Sequence, residues 1–160
     1  MITSRRDYIM RIIEEVGRLL ARISAKRRKG DSDDAALETV VFGLQRLFTL
    51  DADQIFLLTP EQHFDLLIDD EEPEIARDKV LLYAALCAEA GHVYTRMGSP
   101  EKARATFTTA LRFTLQARAQ FSGKDLPDFA PTITDLLSAL QGEPLDPETA
   151  GLLRHSDHTA

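Results

Sequence analysis

Glu89 and His92 stand at the Glu-x-x-His spacing with which helix bundles hold paired metal ions. Such a centre needs two of these motifs and two further carboxylates. His63, His155 and His158 have no Glu three residues before them, so the plainer reading is a polar pair on a helix surface. The run His155-Ser156-Asp157-His158 contains triad residue types, but neighbours in sequence do not point at one another as a triad requires. Cys87 falls mid-helix on an apolar stripe and reads as a small core residue rather than a nucleophile. The acids from Asp69 to Glu74 precede a helix, where carboxylates match the positive end of the helix dipole. A divalent-cation site is the sharper alternative there. No phosphate-binding Gly-rich loop or Walker sequence occurs. No catalytic residue, metal or cofactor is assigned on these grounds.

The elements that carry these residues are helical, because apolar residues recur at three and four rather than at two. A first helix is expected from about Ser4 to Arg28, with Ile9, Ile12, Val16, Leu19 and Ile23 on its inner stripe. Gly30 ends it, and Asp31 to Asp34 supply a cap and first-turn acids for a helix carrying Leu37, Val40, Val41, Leu44, Leu47 and Phe48 inward. Residues 51–69 hold connecting helices. One starts at Thr59-Pro60-Glu61-Gln62, with Pro60 at the first helical position and Gln62 placed for a capping box. A central helix, about Pro73–Met97, is apolar most of the way round and must be buried between neighbours. Gly98 ends it. Ser99-Pro100-Glu101 opens the next helix as cap, proline and acid. A capping helix follows at about Asp128–Leu140. Residues 143–160 are expected as a short helix opening at Asp146-Pro147-Glu148 and a flexible tail from His155.

The chain has 160 residues, 44% apolar composition and a formal charge of −7, which suits one globular domain and not a generally basic surface. One cysteine, no signal-like N-terminus and no apolar run of roughly 18 residues point to a cytoplasmic protein. Charge is divided along the chain. Residues 1–30 hold nine Lys or Arg against three acids; residues 31–74 hold thirteen acids against Arg46 alone. The two regions are expected to neutralise each other within the fold or across a homodimer. The alternative is an anionic-partner patch of Arg22, Lys26, Arg27, Arg28 and Lys29 at the end of the first helix. Cations also suit a helix C-terminus. The chain lacks the further basic surface and interleaved aromatics that nucleic-acid binding wants, so neither nucleic acid nor membrane is the expected partner.

Residues 84–117 carry the most specific pattern. They follow the spacing of the tetratricopeptide (TPR) repeat, a helix pair of about 34 residues. Counting from Ala84, Gly91 is eighth, Tyr94 eleventh, Ala103 twentieth, Phe107 twenty-fourth and Ala110 twenty-seventh, with Gly98 at the turn. Gly91 and Ala103 are small where paired helices approach closely, and Tyr94 and Phe107 fill the space beside that contact. Cys87, Ala90 and Leu115 depart from the pattern's usual Trp, Leu and Pro. Residues 4–49 align as a second, degenerate pair. Repeat architectures need about three units to bury a core, so the chain must close as a bundle, cap itself or dimerise.

The segment DYIMRIIEEVGRLLARI, the later GDSDDAALETV and the TPR unit resemble a family of uncharacterised bacterial TPR-like proteins. The run LSALQGEPLDPETAGLL resembles that family's C-terminal part. The resemblance implies a bacterial, all-α protein of TPR-like antiparallel helix pairs, about six to eight helices, and no catalytic residue. It makes 1–142 a single TPR-like domain. By the same resemblance the first helix of the unit lines a groove, with Ala85, Ala88, Glu89, His92, Thr95 and Arg96 facing a peptide. The Lys and Asn of a carboxylate clamp are absent, Ala88 and His92 standing in their places. The expected function is a non-catalytic protein–protein interaction or scaffold module. A helical-bundle enzyme or small-ligand binder, and an anionic-surface binder acting through residues 22–29, are the alternatives.

Overall fold

The computed structural model describes residues 4–30, 32–121 and 125–159. Eight helices, and no strand, occur among them: α1 (Arg5–Arg28), α2 (Asp33–Phe48), α3 (Ala52–Phe56), α4 (Pro60–Ile68), α5 (Pro73–Arg96), α6 (Pro100–Gln120), α7 (Ile133–Leu140) and α8 (Pro147–Thr159). The protein is all-α.

Local chemistry sets most boundaries. Each helix N-terminus leaves backbone N–H groups without intrahelical acceptors. The Ser4 hydroxyl accepts from the Asp7 N–H at 3.1 Å in α1. In α4, Thr59 and Gln62 form the reciprocal capping box, at 3.1 and 2.9 Å. The α5–α6 turn closes through Gly98 at φ +75. There the Ser99 N–H donates to the Tyr94 carbonyl at 2.9 Å and the Gly98 N–H to the Thr95 carbonyl at 3.2 Å, the paired bonds of a Schellman turn.

Some boundaries differ from the sequence pattern. Ser99, at φ −111 and ψ 73, makes no side-chain cap. The helix expected from Asp128 begins at Ile133, capped by the Thr132 hydroxyl. Pro131 disfavours helical geometry in the residue before it, and residues 125–132 run as an irregular strap. Asp146 opens α8 by accepting from both the Thr149 N–H and hydroxyl, and the helix continues through Thr159. The backbone from His155 to Thr159, expected as a tail, is therefore helical.

α5 is the axis of the molecule, packed against α1, α2, α4 and α6. Val80, Leu81, Leu82, Ala84 and Leu86 on it are fully buried. α5 and α6 form an antiparallel hairpin with a tight contact at Gly91. A Cβ there would lie 2.8 Å from the Phe107 ring. The charge division of the sequence is partly settled inside the fold. Arg5 pairs with Glu71 at 2.8 Å and donates to the Asp70 carbonyl at 2.9 Å, and Arg6 pairs with Glu72. The acid run thus fastens the start of α1 to the α4–α5 link.

Gly91→Ala tests the close approach. Alanine gains about 1 kcal/mol in helix propensity, but overpacking a core costs about 1–3 kcal/mol. Net destabilisation in chemical denaturation is expected, relieved when Phe107→Leu is added.

Candidate functional site

Ala85, Ala88, Glu89 and His92 recur at helical spacing and form one stripe of α5. That stripe faces α1 and the strap before α7, and together they enclose an open groove of about 480 Å³. Small residues make the room: Ala85 and Ala88 on α5, Gly17 and Ala21 on α1. Phe107, Phe129 and Leu136 give apolar wall, and Arg28, Asp128 and Asp135 line the polar margin.

Glu89 differs from the expected solvent-facing contact. It is buried, and its carboxylate accepts from the Ser24 hydroxyl at 2.8 Å and from Arg27 Nε and Nη2 at 2.7 and 3.3 Å. A carboxylate with little water must be met by a cation and by hydrogen bonds. Arg27 therefore turns inward instead of joining the basic patch. The remaining patch residues, Arg22, Lys26, Arg28 and Lys29, are exposed. None of those four forms an ion pair among the described residues.

His92 lies half-buried in the groove, edge-on to Phe107 at 5.0 Å between ring centroids. Burial, and next the Arg27 charge, hold its pKa below the ordinary imidazole value, against opposing pulls from Glu89 and Asp135. Thr95 and Arg96 do not line the groove. The Thr95 hydroxyl donates back to the Gly91 carbonyl at 2.9 Å. Arg96 donates to the Arg27 carbonyl at 3.1 Å and reaches Asp33 at 3.4 Å, bracing the end of α1 against the start of α2.

A second polar group lies on the other side of α5 and was not anticipated. His63 is buried between α3 and α5. Its Nε2 lies 2.7 Å from the Ile55 carbonyl, which can only accept, so Nε2 carries the proton. In the neutral ring Nδ1 then accepts from the Tyr83 hydroxyl at 2.9 Å. Burial raises the Tyr83 hydroxyl and pushes the neighbouring Cys87 thiol up to about 12. These groups edge a largely apolar cavity of about 260 Å³ with Leu37, Val40 and Tyr94. The helical stripe His63, Phe64, Leu67 was the available signal, since it places the imidazole on the inner face of α4.

Among the described residues, no group of three or more His, Cys, Asp or Glu side chains is placed to hold a metal ion. No described helix is long and apolar enough to cross a membrane. No family model, curated protein or solved structure matches this chain.

The ion pair and the imidazole each carry a prediction. Glu89→Gln and Arg27→Met should each destabilise by about 1–3 kcal/mol in urea unfolding, since the partner is left with little water and a lost charge-assisted hydrogen bond. The double variant should lose less than the sum. For His92 the folded pKa lies below the unfolded one, so the unfolded chain binds the proton more readily. That contribution to stability is intact above pH 6.5, the unperturbed value, and declines as pH falls toward the lower folded value. His92→Gln should flatten this acid limb of the stability profile relative to the parent protein.

Proposed function

We propose that this protein is a non-catalytic, TPR-like interaction module, cytoplasmic and bacterial, that receives a peptide segment of a protein partner in the α1–α5–α7 groove. The observation that carries the reading is the groove itself. Two alanines on the first helix of the TPR-patterned hairpin leave space where larger side chains would close it, beside an apolar wall and a polar margin. Peptide recognition draws on that combination, with apolar pockets for anchors and polar groups for register. Glu89 supports the binding surface indirectly, by holding α1 at its distance from α5. His92 and Arg28 remain available to a ligand's carbonyl or carboxylate groups.

Selection of peptides displayed against the full chain, followed by calorimetric titration of a selected peptide, tests the proposal. Saturable binding is expected, and Ala88→Arg, which fills the groove from a half-buried position, should weaken it by about tenfold or more. Failure to enrich any peptide, or binding indifferent to Ala88→Arg in a variant that melts like the parent, would refute it.

A further inference from the structure

A second groove, of about 550 Å³, lies between the C-terminal half of α1 and the N-terminal half of α2. Its floor is apolar, made by Leu19, Ile23, Ala36 and Phe42, and the Phe42 ring is 50% exposed. Arg22 and Lys26 stand on its rim, and Glu38 is the one carboxylate there among the described lining residues. Arg28 and Lys29 extend the positive field beyond it. An apolar floor under an unpaired cationic rim fits an apolar projection flanked by acids.

The chain carries such a projection. At the end of α3, Phe56 is 62% and Leu57 84% exposed, the two most exposed large apolar side chains among the described residues. Asp51 and Asp53 beside them are exposed and form no ion pair among the described residues. A single exposed apolar residue is ordinary on a protein surface. Phe56 edges the cavity beside His63 with part of its ring, but Leu57 beside it, 84% exposed, is not explained by the monomer. Phe56 sits beside Leu37, Val40 and Val41 on one face of α2, whereas the groove is lined by Ala36, Thr39 and Phe42 on another, so the chain does not fill its own groove.

Charge decides how two copies can meet. Knob against knob sets Asp51 and Asp53 against their own copies, and groove against groove sets Arg22 and Lys26 against theirs. Knob into groove alone brings opposite signs together. We propose that two copies of this chain associate by exchange, each seating its Phe56–Leu57 knob in the α1–α2 groove of the other. Such a reciprocal exchange is two-fold symmetric and closes the assembly as a dimer. This surface meets the peptide groove at Arg27, which lines both, but does not depend on that groove's having a ligand.

Sedimentation velocity on the full chain over a range of protein and salt concentrations tests the proposal. A dimer is expected whose dissociation constant rises with salt as the rim charges are screened. Leu57→Ser and Lys26→Glu should each raise that constant by about tenfold or more. Adding Asp53→Lys to Lys26→Glu in the same chain should recover most of the loss, which a merely structural effect would not do. Leu57 is 84% exposed, so at protein concentrations below the dissociation constant, where the parent is monomeric, its replacement should leave the melting temperature unchanged. A monomer under all conditions would overturn the proposal, as would a dimer indifferent to these substitutions. Capture of an acidic peptide in the groove by a strictly monomeric protein would also overturn it, and would place a foreign partner there.

Discussion

With no side chain at Gly91, the Phe107 ring lies where a Cβ would be 2.8 Å away, and α5 and α6 pack as one unit from that contact to their shared turn. The rest of the structure depends on this pairing. Once α6 covers one side of α5, the remaining sides of α5 must be covered by α1, α2 and α4, because α5 is apolar most of the way round. That wrapping is what separates the two faces of α5. One opens on the groove of Ala85, Ala88 and His92; the other closes over His63, Tyr83 and Cys87.

Electrostatics then fixes how the wrapping helices sit. α1 is held at its start by Arg5 and Arg6 against the acid run before α5. Toward its end it is held by Arg27 on Glu89, with Arg96 bracing the Arg27 carbonyl. These attachments consume some basic residues of the N-terminal region and leave Arg22, Lys26, Arg28 and Lys29 outside. Residues 51–65 likewise keep acids in solvent. The fold therefore keeps part of the charge separation visible in the chain instead of cancelling it, and places the two signs at different points of the surface.

Much of the architecture was legible from local chemistry. The capping box at Thr59 and Gln62, the proline starts of α4, α5 and α6, and the turn at Gly98 are decided by residues within a few positions of one another. The start of α7 was not, since Pro131 competes with an apolar pattern that begins earlier and the backbone restriction wins. The candidate site was half legible. Its α5 stripe follows from helical spacing, but the α1 residues and the strap that complete the groove come from distant parts of the chain.

The sequence by itself determined that this protein is helical, where most of its helices begin and end, and that α5 and α6 pair closely. Those outcomes rest on hydrogen-bond caps, fixed proline angles and a missing Cβ, all of which act over short range. Only the tertiary structure decided what the charged residues do. Glu89 and Arg27 are separated by 62 positions, and each alone reads as a solvated surface charge. Folding removes water from both, and a buried carboxylate then requires its cation. A residue expected to meet a ligand became a strut, and the room left beside it became the groove.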